Sequence, residues 1–146
     1  HAQIASVNGV IDYFESVYNY HYDDIYADDR LKSKRVNHLF KKAEKRNMIP
    51  LLELLSEKTS ENLIGKSEHK QRAPTISFTV ANQEPADIAR LLANENIGIA
   101  NGSCYATRLM DALDIPRDKG VVRLSFVHYT SSQEIKRVIN ALDRIL

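Results

Sequence analysis

The sequence predicts an α+β fold of two layers, in which a small, mostly antiparallel sheet carries helices packed on one face. Three observations carry that prediction. Thr75 to Val80 and Gly120 to Thr130 alternate apolar and polar residues with the period of two that marks a strand buried on one side. The segments between and after them repeat their apolar residues at helical spacing. At 146 residues, the chain is long enough to bury a self-supporting core without a disulfide or metal staple.

Bulk composition narrows the function classes. Hydrophobic residues make up 43% and charged residues 27%, values of an ordinary globular protein. No apolar run reaches the roughly 18 residues of a membrane helix and no signal peptide is evident, so the expectation is a cytoplasmic protein with no membrane partner. A net charge of +1 supplies no general field for nucleic acid. The single cysteine, Cys104, cannot make an internal disulfide, and His1, His21, His38, His69 and His128 lack metal-ligand spacing. The chain starts at His1 without a methionine and enters an apolar stripe at once. The expectation is therefore a single domain over residues 1–146 cut from a longer protein, with a helical region at 1–58 and a strand/helix sandwich at 59–146.

The elements follow in order. Ile4, Val7, Ile11, Phe14 and Tyr18 predict a first helix from about Gln3 to Tyr20. Tyr13, Phe14, Tyr18, Tyr20, Tyr22 and Tyr26 crowd its end, which suits either a contact surface or a partly buried core edge. Asp23, Asp24, Asp28 and Asp29 supply turn and capping chemistry for a second helix. Val36, Leu39, Phe40 and Ala43 would face inward on it, while Lys and Arg from Arg30 to Arg46 form a face either solvated or turned to an anionic partner. Pro50 is expected to interrupt this helix or to open a new one reaching Lys58. A brief strand at Asn62 to Lys66, a turn at Ser67 to Arg72 and the strand Thr75 to Val80 come next; the outer face of that last strand is small and hydroxylated. Glu84 to Asn94 reads as an amphipathic helix with Ile88, Leu91 and Leu92 inward, Ile97 to Ala100 as a third strand, and the stretch with Leu109, Met110 and Leu113 as a short helix ending before Pro116. Ser131 and Glu134 form a capping box before the stripe Ile135, Val138, Ile139, Leu142 and Leu146.

Two places could carry chemistry. In Gly120 to Thr130, Val122, Leu124 and Phe126 occupy one face, and Arg123 the other. Its guanidinium can grip a carboxylate or phosphate through two parallel hydrogen bonds, or simply pair with a surface acid. The second place is the loop Gly102, Ser103, Cys104, Tyr105 between a strand and a helix, where Cys104 is either a thiolate favoured by nearby backbone N–H groups or a small buried hydrophobe.

The segments LIG, RAPTISFTV, NIGIANGSCYATRLMDAL and GVVRLSFVHYTSSQEIKRVINAL, in this order, resemble the C-terminal small domain of the class V aminotransferases, closest to their cysteine desulfurase-like branch. The resemblance spans nearly the whole chain and is strongest from Arg72 to Leu142. It implies a fold-type I enzyme that uses pyridoxal 5′-phosphate, acts on an amino acid and forms a homodimer when complete. It places the arginine that holds the substrate carboxylate at Arg123, and Gly102, Ser103 and Tyr105 in the active-site wall. Counted from Leu109-Met110, the desulfurase nucleophile falls on Tyr105, one residue after Cys104. The Schiff-base lysine, the partner of the pyridine nitrogen and the phosphate loops lie in an N-terminal domain ahead of this chain, and none of the ten lysines occupies the corresponding motif. The implied chain holds no cofactor alone and is not by itself an enzyme.

Two rivals stand beside that expectation. One is a stand-alone small-molecule-binding or regulatory module, since the same architecture serves ligand sensing. An RNA-binding sheet would want aromatics where Thr75, Ser77, Thr79, Arg123 and Ser125 stand. The other is a helical interaction domain built on the tyrosine-rich N-terminal region.

Overall fold

A computed structural model describes residues 2–58, 63–70 and 72–146. The described elements run α1 (Ala2–His21), α2 (Asp29–Lys58), β1 (Leu63–Ile64), β2 (Thr75–Phe78), α3 (Pro85–Asn94), β3 (Ala100–Gly102), α4 (Thr107–Ala112), β4 (Val121–Ser125) and α5 (Ser132–Ile145). The chain divides into two compact units, His1–Ala43 and Glu44–Leu146.

In the first unit, Phe14 packs edge-on against Phe40 with centroids 5.3 Å apart, and Val36 and Tyr18 are buried. The Tyr18 hydroxyl donates to the Asp24 carbonyl at 3.1 Å and accepts from Arg35 Nη1 at 2.8 Å, while Arg35 also pairs with Asp24 at 3.1 Å. The apolar stripe that predicts α1 is covered only toward its end: Ile4 is 76% exposed and Val7 and Ile11 are exposed as well, while Phe14 is half-buried and Tyr18 buried. The tyrosines divide too, with Tyr18 buried and Tyr20 and Tyr26 exposed.

Pro50 neither interrupts α2 nor starts a new helix, because the helix runs through it to Lys58. A proline in a helix interior loses one hydrogen bond and strains the preceding turn. Met48, Leu51, Leu52 and Leu55, all buried around it in the core of the second unit, supply the packing that offsets this cost. Asn47 is buried beside them, and its Nδ2 donates to the Thr130 carbonyl at 2.6 Å.

The second unit contains a four-stranded antiparallel sheet in the order β1-β2-β4-β3. Phe78, Val122 and Leu124 face a core shared with Ile88 and Leu92 of α3 and Ile135, Ala141 and Leu142 of α5. The expected two-layer α+β arrangement is the one observed. Asn62 and Gln71, within the expected first strand and turn, lie outside the described residues; Leu63–Ile64 is β1.

Three expectations shift by local physics. Ile97 is held by the backbone cap that follows α3 rather than by a strand: its N–H bonds to the Leu92 carbonyl at 3.0 Å and that of Asn96, at φ 57, to Ala93 at 2.9 Å, so strand pairing begins only at Ala100. Leu91 is 44% exposed rather than inward, because Ile88 and Leu92 already occupy the narrow contact stripe. In the six-residue α4 only Met110 is buried, while Leu109 and the C-cap residue Leu113 stay exposed.

At α5 the capping box forms as expected, with Glu134 N donating to Ser131 Oγ at 3.2 Å and Ser131 N to Glu134 Oε2 at 2.7 Å. The bonds from Ser131, backbone first and side chain second, hold the Glu134 carboxyl below its ordinary pKa. A carboxyl depressed in the folded state adds stability above its unfolded pKa and loses it as pH falls through the folded one. Glu134→Gln is therefore expected to lower the urea midpoint at pH 7, with the difference from the unsubstituted protein closing once acid protonates Glu134.

Candidate active-site face

The geometry is set by the register of β2, β3 and β4. Arg123 stands opposite Ser77 of β2 and Ala100 of β3, so the three share one row and one face of the sheet. The adjacent row pairs Thr75 with Ser125, whose hydroxyl oxygens are 3.5 Å apart. On the other side Val121 pairs with Gly102. Small neighbours leave the long guanidinium room above the sheet.

Arg123 is half-buried, and its Nε has no hydrogen-bond partner although that atom is buried. Among the described residues no acid pairs with the guanidinium. A buried donor without an acceptor costs about 1–3 kcal/mol, a cost that any acceptor reaching this nitrogen would recover. Sequence pattern placed Arg123 on the polar face; it could not exclude a neighbouring acid, since ion pairs depend on residues distant in the chain.

The face is not uniformly open. Val121, on the same side as Arg123, is only 2% exposed and, like Met110, lies outside the main core cluster. Ser125 at the opposite end is exposed. The floor around Arg123 is thus closed toward Val121 and accessible toward Thr75 and Ser125. The burial of Val121 was not legible in the sequence, where it precedes the inward Val122 by one residue.

Gly102, Ser103, Cys104 and Tyr105 leave the end of β3 as a loop. Gly102 (φ 98) meets Gly120 (φ 66) backbone to backbone, and a Cβ on Gly120 would fall within the Gly102 main chain. Cys104 and Tyr105 both take left-handed backbone conformations, at φ 50 and 64, each costing about 1–2 kcal/mol in a non-glycine residue. A turn with Ala106 N donating to the Ser103 carbonyl at 2.8 Å holds this shape. It projects Tyr105 fully into solvent and leaves Ser103 and Cys104 half-buried. Helix α4 begins at Thr107, three residues after Cys104, and has too few residues to build a strong dipole toward the thiol. The loop and Arg123 are joined through β3 and β4, since Gly102 and Ala100 both pair on the Arg123 strand.

Lysines and metal-ligating residues have different settings. Every described lysine is exposed except the half-buried Lys32. No cluster of three metal-ligating side chains occurs among the described residues, and no described helix is long and apolar enough to cross a membrane.

The open antiparallel sheet with helices packed on one face is the architecture shared with the cysteine desulfurases of the pyridoxal phosphate-dependent transferase fold. Comparison with known proteins gives the family. The family described as Aminotransferase class-V matches residues 31–138, and the chain belongs to it. Among curated proteins it is 32% identical over 99 residues to the aminotransferase-like protein FGM3 of Gibberella zeae, covering 66% of this chain and 25% of that protein. It is 34% identical over 97 residues to the cysteine desulfurase-like protein ustD of Aspergillus flavus, covering 64% of this chain and 22% of the relative. The apo cysteine desulfurase of Thermococcus onnurineus superposes with a TM-score of 0.68 at 25% identity, over 80% of this chain and 28% of that structure. The Escherichia coli cysteine desulfurase CsdA shares the fold, with a TM-score of 0.60 at 22% identity over 75% of this chain and 25% of its own. The chain spans about a quarter of the length of these curated relatives.

Proposed function

We propose that this chain is the C-terminal domain of a pyridoxal phosphate-dependent, amino-acid-transforming enzyme and that Arg123 binds the carboxylate of its substrate. The observation that carries the reading is the half-buried guanidinium of Arg123, without an anionic partner among the described residues and flanked by Ser77 and Ala100. A carboxylate laid against that fork gains two charge-assisted hydrogen bonds, and the rigid strand fixes the direction in which the bonds at Cα point. Gly102, Ser103 and Tyr105 form part of the wall beside it. Pyridoxal phosphate, when bound, supplies the electron sink for chemistry at Cα. In this reading the cofactor is held by an N-terminal domain of the full-length protein. The full-length enzyme is a homodimer, as the family resemblance implies.

The test compares an amino acid with its carboxamide, which lacks the negative charge. In the unsubstituted full-length enzyme the acid is expected to bind at least tenfold more tightly than the amide. In Arg123→Ala the two should bind alike. An acid that keeps its advantage in the variant would place the carboxylate elsewhere.

A further inference from the structure

The side chains around Arg123 share one chemistry. Ser77 lies directly across from it, and Thr75 and Ser125 form the next row toward the accessible end of the face. A ligand whose carboxylate reaches Arg123 from that end lies over these hydroxyls, while at the opposite end Val121 is 2% exposed. Their hydrogen-bonding capacity is largely unspent. Among the described residues the Ser77 hydroxyl has no partner, and Thr75 and Ser125 share one contact at 3.5 Å, the outer limit of a hydrogen bond. A hydroxyl both donates and accepts, so three of them on one floor can satisfy a ligand hydroxyl, amide or second carboxylate. An apolar substituent in the same place would strip water from them and return nothing.

We infer that Thr75, Ser77 and Ser125 select, for the Arg123 site, an amino acid whose side chain carries a hydrogen-bonding group at Cβ, beyond the α-amino group that all amino acids share. The inference rests on Arg123 as the carboxylate site and adds the substrate class. Ser77 and Ser125 are specificity residues in this scheme; the charge of Arg123 provides attraction common to all acids.

L-alanine and L-serine, which differ by one hydroxyl, are the probes. Their affinities for the full-length protein are measured by calorimetry, and contact is read from the Nε–H resonance of Arg123, assigned by its loss in Arg123→Lys. Both amino acids are expected to shift that resonance, with serine binding about three- to tenfold more tightly, the gain of one net hydrogen bond. Ser77→Ala, or Thr75→Val combined with Ser125→Ala, should bring the ratio toward one. Equal affinities in the unsubstituted protein, or a serine preference that survives both variants, would overturn the selection by hydroxyls while the shifted resonance kept Arg123 in place. If neither amino acid moves the resonance, the carboxylate site and the inference fall together.

Discussion

Replacing Arg123 with lysine in the full-length enzyme is expected to raise KM for the amino-acid substrate by about 10- to 100-fold and to leave cofactor affinity unchanged. Lysine preserves the positive charge but offers a point donor instead of a planar fork, so the second parallel hydrogen bond is lost. Hydrogen bonds to charged groups contribute about 1.5–3 kcal/mol, and each 1.4 kcal/mol is a factor of ten. The half-buried position of Arg123 puts the interaction in the stronger part of that range, and the absence of a described acid means no internal partner competes with the ligand. Steady-state kinetics measures the first quantity and cofactor titration by absorbance the second. An unchanged KM would remove the carboxylate role, and a parallel loss of cofactor affinity would make Arg123 a support of the whole site.

The second large effect is expected at Gly120. Its φ of 66 and its contact with the Gly102 backbone leave no space for a side chain. In Gly120→Ala the methyl group must displace the Gly102 main chain, with overpacking of about 1–3 kcal/mol, in addition to about 1–2 kcal/mol for the left-handed conformation. A loss near 3 kcal/mol in urea unfolding is expected. Because Gly102 is the root of the Ser103 to Tyr105 loop, the shift should also expose Cys104, which is half-buried. Faster labelling of Cys104 by a thiol reagent under native conditions would report it. Equal stability and equal labelling would show that the two glycines can separate without consequence.

These two expectations differ in how far the sequence foretells them. Arg123 stands out because an alternating strand displays its odd member, whereas Gly120 gains its importance only by meeting Gly102, a residue eighteen positions away. Asn47 is a similar case. It looks like one more polar residue in a charged helix, yet it is buried and reaches the Thr130 carbonyl across 83 positions.

Local chemistry was sufficient for the α+β pattern, the α5 capping box and the small, hydroxylated outer face of β2, because period and capping depend on neighbours within a few residues. It also sufficed to show Arg123 as a candidate anion site. Where contacts are nonlocal, tertiary structure decided. Packing by Met48, Leu51, Leu52 and Leu55 carried α2 through Pro50, against the proline's local preference. The first part of the apolar stripe of α1, Ile4 to Ile11, stayed exposed, since periodicity states which residues share a face and not what covers it. Strand register set Ser77 and Ala100 beside Arg123, closed one end of the face at Val121 and left the hydroxyl row at the other. A strand's pattern fixes which residues share a face, but its partners and their alignment arise from folding of the whole sheet.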